Sequence, residues 1–190
     1  MKKTLLITLL LIPFLGISQT TKPIEGFLGI KFGSNKATVI AAIKERGGIL
    51  NNDPSGSYLN FSDVSLGHRK STQLQVKFFN DKLYFGGFVF QPENDPQTFV
   101  YYNNLVNDIT ELYGKGSAVR NFKSPYKDGD GDEIMAVRSG YGNIYNFWSV
   151  DKKRIDLSIN TKLKVILIYM DDVLDAEANA AAKAKEKSDF

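Results

Sequence analysis

The segment Arg154-Ile155-Asp156-Leu157-Ser158-Ile159-Asn160 alternates polar and apolar residues without a break. Successive side chains of a strand point to opposite faces, so a period of two gives one dry and one wet face. A sheet that keeps one face in water is characteristically antiparallel. Leu59 with Phe61, and Leu74 with Val76 and Phe78, repeat the alternation. Asn80-Asp81-Lys82 then forms a tight turn into residues 83–90, which predicts a β-hairpin over 73–90. Gly86 and Gly87 in its second strand mark a bulge or the close approach of a helix. Residues 133–139 and 143–150 are further strand candidates, and 163–170, apolar on both faces, reads as a central strand.

Two helices interrupt this pattern. Ser34 stands where an N-cap belongs, Val39, Ile40 and Ile43 give an apolar stripe, and Gly47-Gly48 ends the helix. Asp95-Pro96 opens a longer one, with aspartate at the N-cap and proline at the first helical position. Phe99, Tyr102, Leu105, Val106, Ile109 and Tyr113 follow on one face up to Gly114. The order helix, strands, helix, strands makes two loose αβ units in one α+β domain over residues 19–172. Its antiparallel sheet packs against the two main helices, which cover one face. Residues 173–190, rich in Ala, Lys and Glu, predict a helical tail, docked at Val173-Leu174 and solvated beyond.

The first residues predict an address. Lys2 and Lys3 precede an apolar run from Leu5 to Leu15, and Gly16 and Ser18 place small residues before a cleavage point. Residues 1–18 therefore read as a signal peptide, leaving Gln19 at the N-terminus of a periplasmic or secreted product. The run is shorter than the ~20 residues of a membrane span, so no membrane insertion is expected after cleavage. The chain has no cysteine. This excludes disulfides, a cysteine-ligated zinc, a thiol nucleophile and a lipoprotein anchor. Its 24 basic and 21 acidic residues include Lys2 and Lys3, so the exported part is close to neutral. The tight basic cluster His68-Arg69-Lys70 reads as a solvated turn, and no basic stripe invites nucleic acid.

Three stretches together carry a resemblance: Phe27-Leu28-Gly29-Ile30-Lys31-Phe32-Gly33-Ser34 before a helix, Val76-Lys77-Phe78-Phe79-Asn80-Asp81-Lys82-Leu83-Tyr84, and Leu112-Tyr113-Gly114-Lys115 after a long helix. Their order and spacing over residues 25–172 resemble small exported Bacteroidota proteins of unknown function. They are also similar to the helix-plus-antiparallel-sheet arrangement of the beta-lactamase-inhibitor-like fold. The resemblance implies a fold and transfers no catalytic residue.

Among candidate sites, Asp128-Gly129-Asp130-Gly131-Asp132 is the sharpest local signal. Alternating aspartates can gather oxygens around calcium at extracellular concentrations. The run departs from an EF-hand loop, with Glu133 where glycine is needed and Ser139 where a bidentate glutamate is needed. An acidic turn before the next element is the preferred reading of Asp128, Asp130 and Asp132. His68, the only histidine, reads as solvated. Asp108 with Glu111, and Asp171 with Asp172, read as solvated faces or helix starts. Tyr84, Tyr141, Tyr145 and Trp148 form either an aromatic platform for sugar or peptide or part of the core, and Trp148 shares a strand face with Ile144 and Val150. No catalytic residue and no cofactor site emerges. The expectation is an exported, non-catalytic binding module for a protein, peptide or glycan. A small hydrolase of envelope polymers and a calcium-stabilised structural protein are the rivals.

Overall fold

A computed structural model describes residues 22–188. The signal peptide expected over residues 1–18 lies outside them. A short ribbon, β1 (Gly26–Phe27) and β2 (Ile30–Lys31), leads into α1 (Lys36–Glu45), β3 (Ile49–Leu50) and β4 (Tyr58–Ser62). A small hairpin, β5 (Ser65–Leu66) and β6 (Arg69–Lys70), precedes the long hairpin β7 (Gln73–Phe79) and β8 (Lys82–Phe90). Then come α2 (Asp95–Tyr113), β9 (Ser117–Phe122), α3 (Glu133–Arg138), β10 (Gly142–Val150), β11 (Lys153–Ile159), β12 (Val165–Asp171) and α4 (Asp172–Ser188).

Eight strands form one antiparallel sheet in the order β3-β4-β7-β8-β12-β11-β10-β9. Each half is a long helix followed by four strands of this sheet, with the β5–β6 hairpin inserted in the first half and α3 in the second, and the last strand of one half pairs with the last of the other. Val165 faces Phe90 and Met170 faces Phe85 along that seam. The two αβ units expected from the sequence are thus two meanders laid edge to edge, with strand order reading outward alike from the seam.

Alternation sends Leu74, Val76, Phe88, Leu157, Leu167 and Tyr169 to the inner face, all buried. Val39 and Ile43 of α1, Tyr102, Leu105 and Ile109 of α2, and Phe27 and Ile30 of the ribbon close over them. Gly86 is the reason the ribbon can approach. A Cβ built there would lie 2.2 Å from Cε1 of Phe27, so the approach expected from a helix is made by an aromatic ring instead. The hairpin also carries an irregularity at Lys77/Phe78, opposite Tyr84.

Several local expectations shift. Asn35, not Ser34, caps α1 by accepting from the Thr38 N–H at 2.8 Å. The Ser34 carbonyl is engaged by the Leu83 N–H, which ties the helix start to the hairpin. Asn94, not Asp95, caps α2 by accepting from the Gln97 N–H, and Pro96 falls within the first turn. The buried stripe of α2 is Thr98, Tyr102, Leu105 and Ile109, while Phe99, Val106 and Tyr113 are only half-buried. Residues 133–139, expected as a strand, form α3. Ala136 and Val137 are adjacent and both buried, which a strand's alternation does not allow. The edge strand β9 has too few apolar residues to show a period.

The expected tail is helix α4, docked by a different set of residues than expected. The Asp171 carboxylate accepts from the N–H groups of Val173 and Leu174. Leu174, Asp175 and Ala178 are half-buried, whereas Val173 is exposed and so are residues 179–188. Among the described residues no helix is long and apolar enough to cross a membrane.

Candidate functional site

The register that buries one set of side chains aligns the other set on the opposite face, which α1 and α2 leave open; α4 packs against β7, β8, β12 and β11 at the end where Asp172 meets Arg154. At its centre Phe85 and Val89 of β8 lie beside Ile166, Ile168 and Met170 of β12, all half-buried. Gly87 supplies no side chain, and the Phe85 ring lies against it; an added Cβ would sit 2.9 Å from that ring. A shallow depression of about 190 Å³ results, bounded by Gln73, Gln75 and the apolar centre.

Two contrasting flanks border this centre. On the β7 side, Gln73 and Gln75 both donate to Oδ1 of Asn60, at 3.1 and 3.2 Å, and the Lys77 ammonium sits 4.6 Å over the Phe85 ring. On the β11 side, Arg154 lies between two carboxylates, with Nε 2.8 Å from Oδ2 of Asp156 and Nη1 3.4 Å from Oδ1 of Asp172. The Nε–H is buried and does not point at an acceptor, so the Asp156 contact is ionic rather than a directed hydrogen bond. Burial raises the Asp156 carboxyl above its ordinary value; Arg154 opposes the rise and Asp172 adds to it. Farther out, Tyr145 and Phe147 of β10 stack with centroids 6.3 Å apart and planes at 29°.

The four aromatics singled out in the sequence do not form one platform. Trp148 is on the inner face, 3% exposed, and donates from Nε1 to the Gly114 carbonyl. Tyr141 meets Tyr126 edge-on beyond the strand, and Tyr84 is half-buried in a field that includes Asp175 of α4. Tyr145 alone of the four belongs to the open face. Its neighbour there, Phe147, was missed, although the phase of Tyr145 and Phe147 against buried Ile144 and Trp148 was readable.

The acidic turn spends its carboxylates on its own loop. Asp128 grips Arg120, accepting from Nε at 2.8 and 3.0 Å. Asp130 accepts from the backbone N–H groups of Lys127 and Asp132, and Glu133 accepts from that of Gly129. Asp132 begins α3 without a side-chain cap bond. The Arg120 hydrogen bond holds Asp128, and the Lys127 N–H holds Asp130, below the ordinary carboxylate value. Among the described residues no group of three or more acidic or histidine side chains is placed to hold a metal.

His68 is exposed in the β5–β6 turn. Arg69, read as solvated, is not: its side chain is 12% exposed, paired with Asp108 of α2 and set 5.9 Å over Tyr101. That pair clips the small hairpin to the helix. Asp171 and Asp172 do start a helix. No family profile, curated protein or solved structure matches the chain.

Proposed function

We propose that this is an exported, non-catalytic interaction module that docks a folded protein on its open sheet face. The observation that carries the reading is the surface from β7 to β10. It is five strands, or roughly 20 Å, wide, with an apolar centre, charged groups on both flanks of that centre, and a stacked aromatic pair beyond the β11 charges. Protein interfaces combine such an apolar, aromatic middle with arginine and a polar rim. The shallowness of the depression favours a broad partner over a small ligand. Lys77 on one flank and Asp156 with Asp172 on the other give the partner a required orientation, since reversing it would oppose like charges. The periplasm or the extracellular medium is the proposed compartment, on the strength of residues 1–18.

Ile168→Lys places a charge at the centre of the face without touching the inner core. The experiment compares it with the parent chain in capturing partners from the envelope fraction of the producing cell, and then measures the recovered partner in purified form. A Kd weakened by about 100-fold or more, with an unchanged melting temperature, supports the reading. Equal affinities would place the interaction elsewhere.

A further inference from the structure

On the other side of the sheet, a cavity of about 480 Å³ lies between the β1–β2 ribbon and the end of α2. This is within the size range of small-molecule sites. Phe27, Leu66, Leu112 and Tyr113 give it apolar walls, and Tyr169 lies at its inner side. Tyr169 is 6% exposed, and that remaining exposure opens on this cavity. Among the described residues its hydroxyl has no hydrogen-bond partner, and the influences on it are burial and the neighbouring Tyr113. The ring is enclosed while the hydroxyl oxygen keeps access to the cavity, where it stands as a free donor. At the mouth, the Lys22 ammonium sits 6.0 Å from the Tyr113 ring centroid, and Lys31 pairs with Glu25 at 3.3 Å.

We infer that this cavity is a binding site for a small amphiphile with one carboxylate head. The apolar body lies against Phe27, Leu66 and Tyr113. The head accepts from the free Tyr169 hydroxyl and faces the Lys22 ammonium, which supplies the opposite charge. Neither group serves the sheet face on the other side, so the two sites are independent.

Decanoate, below its micelle concentration, is the probe, and amide shifts of the isotopically labelled protein are the readout. Binding is expected with a Kd on the order of 10⁻⁴ M, ordinary for a ligand of this size, and with shifts centred on residues 26–31 and on Tyr113. Decanol should bind about tenfold more weakly, because it lacks the charge that Lys22 meets. Tyr169→Phe removes only the hydroxyl, and Lys22→Ala changes only an exposed side chain; each should weaken decanoate about five- to tenfold. Leu66→Trp, which fills the cavity from its half-buried side, should abolish binding. No shift at millimolar decanoate, shifts centred on Val89 and Ile168 instead, or affinity indifferent to both Tyr169→Phe and Leu66→Trp would overturn the proposal.

Discussion

The Phe27 ring occupies the space that a Cβ at Gly86 would need. The glycine is required for room rather than for a left-handed backbone, and its neighbours Phe88 and Tyr169 complete the aromatic contact, with ring centroids 5.7 and 5.8 Å from Phe27. Gly86→Ala should cost about 1–3 kcal/mol by overpacking. In urea denaturation the alanine should cost much less once Phe27→Ala is also present, because the clash is then gone. Equal costs in both backgrounds would mean that the ring does not need that space.

The longer helix is fastened through its buried stripe. Ile109 is 4% exposed, so Ile109→Ala should cost about 2–5 kcal/mol. Tyr102 donates to Oδ1 of Asn146 at 2.6 Å, linking α2 to β10. Tyr102→Phe should lose about 1 kcal/mol, the net worth of one such bond. Equilibrium unfolding distinguishes the two losses, and a cost below about 0.5 kcal/mol for Ile109→Ala would place the helix face wrongly.

The acidic turn should ignore calcium. A site with a Kd of about 1 mM would gain roughly 1.4 kcal/mol at ~10 mM calcium, and a thermal melt resolves that. The carboxylates of Asp128 and Asp130 already serve Arg120 and the loop backbone, so no shift is expected. Asp130→Asn keeps one carbonyl oxygen for two N–H donors, and amide exchange should quicken at Lys127 or Asp132. A calcium-specific rise in melting temperature, lost in this variant, would make the structural-metal reading the better one.

Acid should act on the turn and the open face with opposite signs. Asp128 and Asp130 titrate below the ordinary 3.8 in the folded chain. Their stabilisation is therefore present above the unfolded value and lost as pH falls through the folded ones. Asp156 titrates above 3.8 because of its burial. The folded state holds that proton longer, so the contribution of Asp156 falls as pH rises through its folded value. Relative to Asp156→Asn, the parent should lose stability as pH rises across the mildly acidic range. Melting curves that stay parallel across that range would refute the assignment.

Much of the sheet was legible because its residues obey one period. Residues 154–160 needed only alternation to be read as a strand with one wet face, and the hairpin needed only Asn80-Asp81-Lys82 between two alternating runs. Asn35 and Asn94 displaced the expected caps by one residue, since neighbouring polar residues compete for the same role and tertiary ties decide between them. α3 was misread because six residues are too few for a period to declare itself. The open face was half legible. Tyr145 was identified, but Phe85, Ile166 and Ile168 look like core in a strand apolar on both sides, and only the strand order reveals which side the helices cover. Arg69 was misplaced for a similar reason: its partner Asp108 lies on a distant helix that the sequence cannot bring near.

The central claim, that the open sheet face is the interaction surface, is tested most directly by photo-crosslinking from that face in the producing cell. A benzoylphenylalanine at Phe147 keeps the aromatic character of the site, and one at Val100, exposed on α2, serves as the control. The account predicts a discrete crosslinked protein from position 147, absent from position 100 and lost when Ile168→Lys is added. Crosslinks of equal strength from both positions, or a crosslink from 147 that persists with Ile168→Lys, would contradict it.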